Sequence, residues 1–154
     1  MPGIVAVEPF LEVIGVTLAV AAITDGLELG IGQGRPPLPV DGAAEPRIPY
    51  LIIYSIQWDT LYDSPPMSSD QDVPLAFQTT SVGATAQQAR AVDDWVRRKL
   101  TALSPSTGTW VTAVVVPGLN IMGRRCVSAG GEDSDVRLTS VPSRFVFDVS
   151  AAGA

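Results

Sequence analysis

The residues able to do chemistry in this chain are carboxylates, hydroxyls, arginines and one thiol. Asp59 and Asp63 sit beside Trp58 and Tyr62, an arrangement that invites comparison with the paired acids of glycoside hydrolysis. They fall in a polar, proline-rich stretch, where acids are ordinarily just solvated. Asp70-Gln71-Asp72 has the alternation of a calcium loop but lacks the glycine and closing glutamate of an EF-hand. Gly30-Ile31-Gly32-Gln33-Gly34 is spaced like a phosphate loop without the Lys-Ser/Thr pair that would make it one. There is no Gly-x-Ser-x-Gly elbow. A serine–lysine dyad would have to use Lys99, the only lysine, from the charged end of a helix.

The chain has no histidine. That removes the commonest general base, the commonest metal ligand and every triad built on imidazole. Cys126 is the only cysteine, so no internal disulfide or multi-cysteine zinc site can form, and the thiol lacks its usual activating partner. It reads as a small residue packed in a strand. Nothing brings nucleophile, base and orienting group together. The sequence therefore predicts a non-enzymatic protein with no catalytic residue, cofactor or metal.

The 154 residues suit a single domain, and 46% hydrophobic content gives them a real core to bury. Only 17% of the residues are charged, a sparse cover for a monomer's surface and a hint of association. A net charge of −6 disfavours nucleic acid as the main partner, because phosphate binding needs clustered cations. The N-terminus has no basic region ahead of its apolar stretch, with Glu8 and Glu12 there instead, so no signal peptide is expected. Val13 to Ile23 is too short to span a bilayer, and the chain reads as cytoplasmic in the cell that makes it.

The elements that must position these groups follow from periodicity. Glu8 to Ile23 reads as a helix, with Pro9 in its first turn and acids at its positive end. It is apolar nearly all round, so more than one face should be covered, by a sheet and by a neighbouring subunit. Gly26 to Pro46 is glycine- and proline-rich and reads as a linker. Tyr50 to Trp58 is a strand apolar on both faces, Asp59 to Pro74 an acidic loop, and Leu75 to Val82 an alternating strand. Thr85 to Leu103 is a helix opened by a Thr85/Gln88 capping box, with Ala89, Val92, Val96, Leu100 and Leu103 forming one stripe. Arg90–Asp94, Asp93–Arg97 and Asp94–Arg98 are spaced as surface pairs. Trp110 to Val116, Ile121 to Ser128 and Arg144 to Ser150 read as strands, Ala129 to Asp135 as a turn, and Ala151 to Ala154 as a frayed tail. The order predicts an α+β domain: a mainly antiparallel sheet of about five strands with two main helices packed on it.

Three stretches carry a resemblance. Pro49-Tyr50-Leu51-Ile52-Ile53-Tyr54-Ser55-Ile56 is followed by the acidic loop, then by Phe77-Gln78-Thr79-Thr80-Ser81-Val82-Gly83, then by Ala86-Gln87-Gln88-Ala89 with Asp93 beyond it. This resembles the tail terminator proteins of actinobacterial phages with long non-contractile tails. Ser128-Ala129-Gly130-Gly131 and the Phe-rich last strand fit the same pattern. The likeness covers about two thirds of the chain. The first helix is more apolar than the pattern, and no aromatic follows Asp148.

The resemblance implies a lambda-type terminator fold and a virion protein of the neck region. Such a protein forms a homohexameric ring on the last ring of tail tube protein and ends tube polymerisation at the length set by the tape measure protein. Its other face meets the head–tail connector or stopper, and DNA only passes through the lumen. No membrane is involved. On that reading Gly83 supplies a positive φ at a tight strand-to-helix turn. Asp59 to Pro74 and Gly118 to Asp135 would be docking loops, with Asp59, Asp63, Asp70, Asp72, Arg124, Arg125, Glu132 and Asp133 as interaction residues. The acidic charge would line the lumen and repel DNA. The rival readings are another neck protein, a small enzyme acting through Asp59 and Asp63, and a cellular ligand-binding module.

Overall fold

The computed structural model describes residues 7–39, 42–56, 73–135 and 137–151. Their order is α1 (Val7–Thr24), β1 (Gly30–Gln33), β2 (Tyr50–Ser55), β3 (Val73–Gly83), α2 (Ala86–Thr101), β4 (Leu119–Ala129), β5 (Asp133–Ser134) and β6 (Thr139–Ala151). The strands form one six-stranded sheet in the order β1-β2-β3-β6-β4, with β5 also on β6. The pairings β2–β3, β3–β6, β4–β6 and β5–β6 are antiparallel, while β1 runs parallel to β2. The fold is α+β as predicted, but the sheet is mixed and one strand larger.

The extra strand comes from the glycine-rich stretch expected to be a linker. Gly30 and Gly32 carry no side chains to display an alternation, so only Ile31 and Gln33 mark β1. Ile31 packs on the main core, and Gln33 donates from Nε2 to the Leu11 carbonyl in α1 at 3.4 Å. The sequence misplaces a second segment in the other direction. Trp110 to Val116 is not a ladder strand; its only bridge is Leu103 to Trp110. Its valines still alternate, with Val114 and Val116 buried and Val115 exposed. The period reflects a segment lying over the core, with no strand beside it. The last strand begins at Thr139, five residues ahead of expectation, because Pro142 interrupts the pattern. Pro142 is tolerated where β4 gives way to β5 along β6, and its carbonyl still accepts from Gly130 N–H at 2.6 Å.

Both helices lie on one face of the sheet. α1 packs on β1 and β2, α2 on β3, β6 and β4, and the two helices touch. Between them and the sheet sit all four phenylalanines. Phe77 stacks on Phe145 at 5.4 Å, and Phe10 and Phe147 close the group edge-on at 5.2 to 5.8 Å. Each such pair contributes about 1 kcal/mol beyond its burial. A smaller apolar group, Tyr50, Ile52 and Val82, lies on the opposite face.

Helix ends are set by local chemistry. Gly26 stops α1 at φ +70°, its N–H bonding Ile23 while Leu27 N–H reaches back to Ala22, a Schellman ending that only glycine enters without strain. At α2 the Thr85 hydroxyl accepts from Gln88 N–H at 3.1 Å, and the Gln88 side chain accepts from Ala84 N–H at 2.8 Å. Gly83 does not have the positive φ expected of it. Its requirement is closeness: a Cβ there would stand 2.6 Å from the Ala89 backbone nitrogen. No helix among the described residues is long and apolar enough to cross a membrane.

Candidate functional site

The two adjacent arginines predicted to dock point to opposite faces of β4. Arg124 faces the helices and is 9% exposed. Its guanidinium lies 4.8 Å from the Trp110 ring centroid and 5.4 Å from that of Phe147. Nη1 donates to the Thr112 carbonyl at 2.7 Å and the Leu100 carbonyl at 3.4 Å. No carboxylate pairs with it among the described residues. Burial pushes its pKa down to about 10, which leaves it charged at neutral pH. The ring faces and carbonyls replace a counter-ion, each cation–π contact contributing about 1 kcal/mol. Arg124 is thus a packing residue that ties the end of α2 and the 103–116 segment to the sheet, not a docking residue. Arg125 lies on the outer face, half-exposed, 3.0 Å from Asp148.

The other predicted residues separate in the same way. Glu132 pairs with Arg90 at 2.7 Å, so Arg90 does not use Asp94. Asp133 is exposed in β5, and the Ile121–Ser128 strand expected from sequence is there as β4, so strand occupies most of the Gly118–Asp135 stretch proposed for docking. Asp59, Asp63, Asp70 and Asp72 lie outside the described residues, as does most of the loop that carries them. Asp93, expected on the outer side of α2, is 2% exposed and faces the sheet. Its carboxylate accepts from Ser143 Oγ at 2.6 Å and Arg97 Nε at 3.0 Å. Thr79 and Ser81 are buried near it on the same face, and their hydroxyls have no partner among the described residues. Arg97 also bonds Asp94. The Asp93–Ser143 bond is closed off from solvent and positions α2 against β6, while Arg97 and Asp94 reach the surface.

Two further features bear on chemistry. A cavity of about 310 Å³ opens on the outer face over Ile48, Tyr50 and Leu138, with Glu45, Asp135 and Arg137 around it. Burial raises the Tyr50 pKa, with Tyr54 and Glu45 adding to the shift, so the phenol stays protonated. Cys126 is half-buried on the core side of β4, its Sγ 3.6 Å from the Ser128 carbonyl, and burial raises its pKa. A thiol held protonated is a poor nucleophile. Among the described residues no three His, Cys, Asp or Glu side chains gather as metal ligands.

The arrangement best suited to function is apolar surface left uncovered. α1 buries Phe10, Ile14, Leu18 and Ala22 against the sheet. On its opposite side Val16, Val20 and Ile23 are 63%, 58% and 78% exposed. Their spacing of four and three is that of a packing seam. β4, at the far edge of the sheet, exposes Met122 and Val127, and the covering segment exposes Val111 and Val115. Met122 and Val127 sit at two irregularities in the β4–β6 register, where an extra residue is pushed out of the ladder. The all-round apolar pattern of α1 was readable in sequence; the bulges were not.

No protein-family model matches this chain, and no curated protein matches it. A solved structure of a protein bearing no functional description is similar over 97% of this chain and 99% of its own, with 13% sequence identity and a TM-score of 0.53. A likeness at that identity shows the fold alone.

Proposed function

We propose that this chain is a structural assembly subunit with no enzymatic activity, the tail terminator of a long-tailed phage. Its copies form a ring that caps the tail tube, ends its polymerisation and offers a face to the head–tail connector or stopper. The observation that carries the assembly half is the uncovered side of α1. The three helix residues leave one apolar face of α1 exposed, and apolar patches on the order of a few hundred Å² are often functional on soluble proteins. The tail-terminator half rests on the Tyr50–Ile56 and Phe77–Gly83 strands and on the capped helix after them. Arg124, Asp93 and Cys126 are bound up in packing, which favours a scaffold over a catalyst.

The test is electron microscopy of phage particles made without the chain. Abnormally long tails mark a terminator. Tailless full heads beside free tails of normal length would mark a connector or stopper and overturn the assignment.

A further inference from the structure

In addition to an assembly role, and independently of it, we propose that the cavity over Ile48, Tyr50 and Leu138 binds a small zwitterion with an apolar body, the chemistry of a free apolar amino acid. Its ammonium sits on Glu45, and its carboxylate on Arg137 and the Tyr50 hydroxyl.

The fold builds the floor. Tyr50 begins β2, Val82 stands opposite it near the end of β3, and Leu138 immediately precedes β6. Ile48 and Leu138 pack against Tyr50, Ile52 and Val82, on the face of the sheet away from the helices. The space above them, about 310 Å³, falls at the low end of ligand pockets, which run from roughly 300 to 1000 Å³.

The polar groups around that floor lack partners. Tyr50 is 8% exposed and lines the cavity, yet its hydroxyl makes no hydrogen bond among the described residues. A buried tyrosine hydroxyl ordinarily finds a partner, and the cavity is where one has room to sit. Burial first, then Tyr54 and Glu45, hold the phenol protonated, so it offers an O–H to an acceptor.

Glu45 comes from the segment entering β2, and Arg137 from the turn between β5 and β6. They flank one cavity with opposite charges, but neither forms an ion pair with the other or with any described residue. Neighbouring Arg47 is taken by Glu28. Asp135, the remaining charge at the rim, has an interaction of its own, and its N–H fixes the turn by donating to the Leu138 carbonyl at 2.9 Å.

These groups together select the ligand. A wholly apolar molecule would leave the phenol unmet. A simple anion would face Glu45, and a simple cation Arg137. A zwitterion answers both charges, its carboxylate matching the guanidinium fork, while its apolar body lies on Ile48 and Leu138.

The experiment is calorimetric titration of the full-length chain with L-leucine and with L-phenylalanine. N-acetyl-L-leucine, which lacks the ammonium, and L-leucinamide, which lacks the carboxylate, are the controls. Glu45→Gln and Arg137→Gln change exposed side chains, so the fold is kept. At least one amino acid is expected to bind with Kd of about 1 mM or tighter, and each substitution or blocked group to weaken it about tenfold. N-acetyl-L-leucine should be indifferent to Glu45→Gln, and L-leucinamide to Arg137→Gln, because the partner of each is already gone. Failure of both amino acids to bind would overturn the proposal. So would binding that either substitution leaves unchanged, or N-acetyl-L-leucine binding as tightly as L-leucine.

Discussion

The guanidinium of Arg124 lies 4.8 Å from the ring centroid of Trp110, and the same side chain donates to the Thr112 carbonyl. One buried cation thereby holds a segment that has almost no ladder bonds of its own. Trp110→Ala is expected to destabilise the protein by about 2 kcal/mol, through lost packing and an uncovered cation. Hydrogen exchange should accelerate across residues 103–116 before it does so in β3 or β6. Unchanged exchange in that segment would show that Arg124 does not anchor it.

Asp25 accepts hydrogen bonds from Trp95 Nε1 and Lys99 Nζ, both at 2.8 Å, just beyond the end of α1. The Lys99 bond first, and the Trp95 bond second, hold its carboxyl below the ordinary aspartate value. A depressed folded-state pKa means a contribution fully present above the unfolded value of about 4, and lost as pH falls through the folded value. Asp25→Asn should therefore lose less stability than wild type between about pH 5 and pH 2, measured by urea midpoints. Parallel pH profiles would contradict the linkage.

Asp93 and Ser143 join α2 to β6 through a 2.6 Å hydrogen bond that is closed off from solvent. Asp93→Ala leaves the Ser143 hydroxyl buried without its acceptor and Arg97 without its inner partner. A loss of about 2 to 3 kcal/mol is expected in chemical denaturation, against about 1 for Ser143→Ala. Equal and negligible losses would mean the network bears no load.

Gly83 offers a sharper packing test. A Cβ there would meet backbone, at 2.6 Å from the Ala89 nitrogen, and backbone cannot turn aside like a side chain. Gly83→Ala should cost about 2 kcal/mol by pushing the first turn of α2 off the sheet. The same substitution at Gly131, where a Cβ meets nothing within 4 Å, serves as the tolerated control.

Elements with a periodic face were readable from sequence. Both helices and the strands containing Tyr50–Ser55 and Phe77 appear close to where the pattern places them. β1 was hidden because glycine shows no face, and 110–116 misled because cover over a core alternates like a strand. The interaction residues were the least readable. Charge drew attention to Arg124, yet two aromatic rings and two carbonyls, distant in sequence, are what make it a core residue. Met122 and Val127 look like ordinary strand residues until the register of β4 against β6 shows them displaced.

Native mass measurement, of the purified chain alone and with tail tube protein, bears most directly on the claim that this chain is a ring-forming terminator. A single closed hexamer of the 16.2 kDa chain, formed alone or on the tube, and lost in Ile23→Asp without loss of fold, is the expected result. A monomer in both conditions, or an oligomer indifferent to Ile23→Asp, would contradict it.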